Sequence, residues 1–219
     1  MYCEYAAIPS GRSLWCQTPE CGTPKGMNLT FSDEEEAFRR EVREWVESAM
    51  PADMRERAHG SGGFTPEDSA TWHRILYDKG WVAPHWPKEA GGTGWDATRR
   101  FIFDEEMELA GAPQLSVFGL TMVGPLLISF GTDAQKKRFL PTILSAEEFW
   151  GQGDSEPGAG SDLASLRTTA EDAGDHFIVN GQKTWTSYAQ YADWIFCLVR
   201  TDPNVKKQAG ITFLLINLK

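Results

Sequence analysis

The residue types that can do chemistry concentrate between Phe149 and Ser187. Gln152-Gly153-Asp154-Ser155-Glu156-Pro157 runs into three small residues, Gly158, Ala159 and Gly160, followed by Ser161 and Asp162. Such a run lets backbone N–H groups turn toward one concave spot, which suits a phosphate or another anion. Asn180-Gly181, between His176–Val179 and Gln182–Thr186, is the strongest short-range hairpin signal in the chain. The second strand of that hairpin would carry Trp185, Thr186 and Ser187, an aromatic face beside two hydroxyls. A flat, hydrogen-bonding cofactor ring needs that combination, although the residues also fit a plain surface loop and hairpin.

Other chemistries find less support. Gly158-x-Gly160 lacks the third glycine of a dinucleotide-binding turn and lies among strand-like segments rather than in a βαβ unit. His59, His73, His85 and His176 show no metal-ligand or triad spacing. Neither Ser155 nor Ser161 sits in a G-x-S-x-G elbow. Glu34–Glu36 and Glu105–Glu108 read as solvated helix faces, and no residue stands out unaided as a catalytic base.

The whole chain sets bounds on these readings. With 219 residues, 41% of them hydrophobic, it is long enough to bury a core in one or two domains. A formal net charge of -10 argues against nucleic acid or an anionic membrane surface as a partner. Of four cysteines, Cys3, Cys16 and Cys21 lie near the start without zinc spacing, and Cys197 reads as a buried strand residue in a reducing compartment. Leu115–Phe130 is the longest apolar run, too short and too broken by Pro125 and glycines to span a bilayer. These features predict a cytoplasmic protein.

The elements that must position the candidate residues follow from periodicity. Ser32 with Glu35 is a capping box ahead of Phe38, Val42, Trp45, Val46 and Ala49 on one helical face, closed by Pro51. Thr65 with Pro66 starts a second helix that Gly80 ends, and Asp96 caps a third that Gly111 and Pro113 stop. Leu115–Ser129, apolar on most faces, predicts a central buried helix whose glycines and Pro125 leave either close packing with a kink or open room beside it. Thr132 and Gln135 cap a last helix, Lys136–Leu144. After Phe149 the period changes, and Leu166–Ala170, His176–Asn180, Gln182–Thr186, Ala192–Arg200 and Ile211–Leu218 read as strands. The fold class is therefore α+β: an N-terminal all-helical domain, then an antiparallel sandwich- or barrel-like β domain, joined near Glu147.

The blocks Gln152–Leu163, Asn180–Ser187 and Ala192-Asp193-Trp194, with Trp86–Gly92 upstream, resemble the acyl-CoA dehydrogenase family. The resemblance runs from about Met27 to the last residue. It implies residues 1–26 as an unstructured extension, with Met27 as the natural initiator, then a helical domain over 27–147 and a middle β domain over 148–219, truncated and without the family's C-terminal helices. It further implies FAD as cofactor, an acyl-CoA thioester as substrate, electron-transfer flavoprotein as electron acceptor, and a homo- or hetero-oligomer. In the family a glutamate or similar base removes the α-proton while the β-hydrogen passes as hydride to the flavin.

Carried over residue by residue, Gln152, Gly153, Asp154 and Ser155 would line the flavin, with Gly160 and Ser161 at the pyrophosphate or the CoA moiety. Trp185 would lie against the ring, and Thr186 and Ser187 would bond near its reactive edge. Two residues depart from the pattern. Asp154 stands where the family has an apolar or aromatic residue, and a carboxylate there disfavours an electron-rich ring. Ser187 replaces a threonine and keeps its hydroxyl. No residue matches the family's base, so the resemblance also allows a non-catalytic binding fragment or a partner subunit of a heteromeric dehydrogenase.

Overall fold

The structure, a computed structural model, describes residues 30–58, 60 and 63–219; the expectations for residues 1–26, Met27 and His59 fall outside them. Side-chain caps set the helix starts. Ser32 and Glu35 close the capping box of α1 (Asp33–Ala49), whose buried stripe is Phe38, Val42 and Val46. The short α2 (Ala52–Ala58), unexpected from the sequence, follows Pro51 and buries Met54. Thr65 and Asp68 box the start of α3 (Pro66–Lys79), which ends on Gly80 in the left-handed region. Asp96 caps α4 (Ala97–Leu109), and Thr132 with Gln135 caps α6 (Asp133–Ser145).

Between α4 and α6 the expected central buried helix is replaced by a wide π-helical turn, Phe118–Val123, leading into the short α5 (Gly124–Phe130). Val117, Met122 and Phe130 of this stretch are exposed. The reason lies in Trp86. In the wide turn the Gly124 N–H bonds to the Gly119 carbonyl, and Pro125 has no N–H to give, so the Leu120 carbonyl loses its helical donors. The indole N–H of Trp86 donates to it at 2.7 Å. The indole reaches that position because Gly124 lacks a side chain, and a Cβ there would lie 2.0 Å from the Trp86 ring.

The strands are β1 (Trp150–Gly153), β2 (Thr169–Asp172), β3 (Phe177–Asn180), β4 (Trp194–Arg200) and β5 (Ile211–Asn217). Helices followed by a sheet is the order the sequence predicts. The strand sense is not: β5 is antiparallel to β4 and β3 to β2, but β1 runs parallel to β4, with Trp150 opposite Trp194, and Thr169 of β2 pairs parallel with Arg200. One mixed five-stranded sheet therefore stands where an antiparallel sandwich or barrel was expected. The short β2–β3 and β4–β5 connections reverse the chain, whereas the long excursion between β1 and β4 brings it back in the same direction.

The expected Asn180-Gly181 hairpin is also corrected. The turn joins β2 to β3 through Ala173–His176, closed by an Ala173 N–H to His176 carbonyl bond of 2.9 Å, with Gly174 at φ +99°. Asn180 ends β3 opposite Thr169, and Gln182–Thr186 is not a strand. Gly181 is small for a different reason: a Cβ would meet the Thr168 hydroxyl at 2.2 Å.

One hydrophobic core runs through helices and sheet, from Phe38, Val42 and Trp72 to Trp150 and Phe196. Phe139 of α6 meets Trp150 and Trp194 edge-on, at centroid distances of 5.5 and 5.0 Å. Overpacking a filled core destabilises by about 1–3 kcal/mol. Gly124→Ala should fall in that range by chemical denaturation, and an unchanged midpoint would contradict the packing of Trp86 against α5.

Candidate functional site

β1 is buried at Trp150, Gly151 and Gly153, with Gln152 half-buried between them. Trp150 is covered by Phe139 and Trp194, while Gly151 and Gly153 lie over Ile195 and Cys197, their register partners. A Cβ on Gly153 would stand 3.0 Å from Ile195 and 3.1 Å from the Cys197 sulfur, so β1 sits tight on β4 only because this face is bare. The side chains of Gln152 and Asp154 meet instead, the Gln152 amide donating to an Asp154 carboxylate oxygen at 2.6 Å.

Past β1, the Ser155 carbonyl accepts the Thr184 N–H at 2.9 Å. That bond lays the stretches Gln152–Ser155 and Thr184–Ser187 side by side although no hairpin connects them. Trp185 is held at φ +60°, a conformation that is rare and strained for a bulky residue. Its side chain is 91% exposed. The Ser187 N–H turns back to the Trp185 carbonyl at 3.0 Å, and Thr186 lies over Gly151. Three polar atoms in the ledge so formed, Asp154 Oδ1, Thr184 Oγ1 and Thr186 Oγ1, are buried with no partner. Orphaned buried groups of this kind normally have a ligand, an ion or water to satisfy them.

Seven candidates, Gln152, Gly153, Asp154, Ser155, Trp185, Thr186 and Ser187, are thus brought together. Gly160 and Ser161 are not bonded to them. They stand exposed on the loop beyond a tight turn in which Glu156 and Ala159 exchange backbone hydrogen bonds of 2.9 and 3.0 Å.

Two residues at this site escaped the sequence reading. Glu156, buried at the base of the loop, accepts from the Arg167 N–H (2.7 Å), the Thr168 N–H (2.9 Å) and the Lys183 ammonium (2.9 Å). Lys183 also donates to the Asp154 carbonyl at 3.0 Å. The two are 27 residues apart, so no spacing announces them.

A second cleft, of about 270 Å3, opens in the helical half between α4, the 81–86 connection and residues 112–121. Its lining includes Trp72, Trp86, Phe103, Met107 and Leu120, with His85 and Asp104 3.6 Å apart among the polar lining residues. Ser116, also in the lining, has a buried hydroxyl without a partner. Burial pushes the Asp104 carboxyl up, against the opposing pull of His85 and Arg100.

The model of the acyl-CoA dehydrogenase N-terminal domain matches residues 32–147, and that of the acyl-CoA dehydrogenase middle domain matches residues 151–219. The chain belongs to the acyl-CoA dehydrogenase family. Acyl-CoA dehydrogenase IpdE1 of Mycobacterium tuberculosis is 43% identical over 189 residues, covering 84% of this chain and 49% of that protein. The Tcur3481-Tcur3483 steroid ACAD superposes with a TM-score of 0.76 at 38% identity, over 87% of this chain and 49% of that one. The ChsE4-ChsE5 complex of Mycobacterium tuberculosis gives 0.71 at 40% identity, over 87% and 48%. The chain therefore spans about half the length of the relatives it matches. No helix among the described residues is long and apolar enough to cross a membrane.

Two carboxylates brace the site. Glu148 is held at about 2 by Arg138, helped by the Thr142 hydroxyl and the Trp194 indole, against the opposing effect of burial. For Glu156 burial is the largest influence and pushes the carboxyl up, but the donors from Thr168, Arg167 and Lys183 together outweigh it and hold it at about 2. Both lie below the ordinary 4.5, so their stabilisation is complete above 4.5 and disappears as pH falls toward 2. Glu148→Gln should lower the melting temperature near neutral pH and converge with the parent protein near pH 2. A difference that stays constant with pH would contradict the ionic role.

Proposed function

We propose that these residues form the sheet-side wall of the active site of an FAD-dependent acyl-CoA dehydrogenase. Gln152, Gly153, Asp154, Ser155, Trp185, Thr186 and Ser187 hold the flavin, and Gly160 and Ser161 serve the pyrophosphate or the CoA moiety. The observation that carries this reading is the Ser155–Thr184 backbone bond, which sets two distant stretches on one ledge with an exposed indole beside orphaned hydroxyls. When bound, FAD would accept the hydride from the β-carbon of the thioester.

The chain's own share is binding and orientation. The exposed Trp185 face would stack on the ring, and the exposed Ser187 hydroxyl would pair with its polar edge, with the buried Thr184 and Thr186 hydroxyls behind them. Asp154 is the one misfit, and the Gln152 amide on its carboxylate offsets part of a charge that disfavours an electron-rich ring. The cleft beside α4 takes the far end of the acyl group. Its aromatic lining suits a bulky group, and the likeness to a steroid dehydrogenase favours a polycyclic one. Electron-transfer flavoprotein as acceptor and a cytoplasmic setting belong to the same proposal.

Each nearby carboxylate accepts at least one hydrogen bond, and Asp154 keeps one oxygen, Oδ1, without a partner. Glu156 is tied to three donors, Asp162 accepts from Ser165, and Asp154 accepts from Gln152. No described residue is assigned as the base. The two-component names of the ChsE4-ChsE5 and Tcur3481-Tcur3483 neighbours favour a second reading, in which the chain works as one subunit of a heteromeric dehydrogenase.

Titrating the 219-residue chain with FAD and following flavin fluorescence tests the site. Weak but saturable binding is expected, and about ten-fold weaker binding for Trp185→Ala, equivalent to ~1.4 kcal/mol of stacking. The chain alone should not bleach its flavin when given acyl-CoA thioesters. Unchanged affinity in Trp185→Ala, whose side chain is too exposed to matter for folding, would refute the assignment.

A further inference from the structure

Behind the ledge, one buried ion pair touches every segment that carries a proposed flavin or CoA residue. The Glu156 carboxylate takes the N–H groups of Arg167 and Thr168, which fixes the return of the loop that bears Gly160 and Ser161. The backbone of Glu156 closes the tight turn to Ala159 at the start of that loop. Lys183 binds the carboxylate and the Asp154 carbonyl together, two residues before Trp185. Thr168 completes the frame: its carbonyl accepts the Arg200 N–H at the end of β4 (2.7 Å), and Gly181 is pressed against its side chain. Both charged side chains are about nine-tenths buried, at 8% exposed for Glu156 and 10% for Lys183.

We propose that the Glu156–Lys183 pair is a positioning device that holds residues 182–187 against the end of β1 and thereby sets the attitude of the Trp185 ring. The inference rests on the flavin reading above and adds residues that reading did not use. No secondary structure holds Gln182–Ser187. Its ties to the β1 end are the Thr184–Ser155 backbone bond and the two bonds from Lys183. A single backbone bond leaves the segment free to swivel, whereas a second anchor one residue away does not. The strained backbone at Trp185 needs such over-determination to persist. A buried charge that loses its partner is strongly unfavourable, so the pair resists being opened by one member moving alone.

Two variants separate positioning from general stability, because the partners hold different things. Lys183→Met frees residues 182–187 and leaves Glu156 bonded to Arg167 and Thr168. Glu156→Gln weakens both connections. Native-state amide exchange should show Thr184 and Ser187 exchanging at least ten-fold faster in Lys183→Met, with Arg167 and Thr168 unchanged. All four should speed up in Glu156→Gln, while core amides of Val42 and Phe196 stay slow in both. FAD titration of Lys183→Met should show at least ten-fold weaker binding than the parent chain. Unaltered exchange at Thr184 and Ser187, or acceleration spread evenly into the core, would overturn the positioning role. So would full flavin affinity in Lys183→Met. If the parent chain takes up no flavin, the flavin reading falls, and the exchange pattern alone still decides whether the pair positions the segment.

Discussion

Trp150 keeps only 1% of its surface exposed, wedged between Phe139 of α6 and Trp194 of β4, and the way the sheet is joined to the helices depends on that wedge. Each aromatic contact of this geometry contributes about 0.5–1.5 kcal/mol beyond the area it buries. Arg138 and Glu148 brace the same corner, with Glu148 also accepting the Trp194 indole N–H at 3.1 Å. β1 leaves that corner alongside β4 and carries the chain through the buried Gly153. There Gln152 to Ser155 meet residues 184–187. A looser corner would leave the ledge without a fixed position relative to the cleft beside α4.

The contrast between the two halves is one of local against distant causes. The helix starts were legible because a cap is written within four residues: Ser32 with Glu35 and Thr132 with Gln135 form the expected boxes, and the expected cap Thr65 forms one with Asp68. Asn180-Gly181 misled for the complementary reason. A glycine tolerates either a left-handed turn or the close approach of another backbone, and Gly181 serves the second, against Thr168. Gly174, which does make the turn, stands in the less emphatic run Ala173-Gly174-Asp175-His176. The π-helical turn was hidden because its cause, the Trp86 indole, lies 34 residues from the Leu120 carbonyl it satisfies. The parallel pairing of β1 with β4 was hidden likewise, since strand sense across a long excursion leaves no periodic trace.

Within the candidate site, side chains with recognisable chemistry stood out in the sequence and those that hold their segment did not. Trp185, Thr186 and Ser187 have side chains that suggest a ring-binding surface wherever they occur. Glu156 and Lys183 look like ordinary charged residues until the fold buries them together. The ledge thus combines a surface readable from motifs with a support readable only from coordinates. The family assignment covers both halves of the described chain.

The central claim is that Gln152–Ser155 and Trp185–Ser187 make one flavin surface. Amide and indole NMR spectra of the labelled chain, recorded as FAD is added, test it directly. The account predicts that the Gly153, Asp154 and Ser155 amides move together with those of Trp185, Thr186 and Ser187 and with the Trp185 indole N–H, all along one binding curve. Shifts confined to one of the two stretches, or centred on residues remote from both, would contradict it.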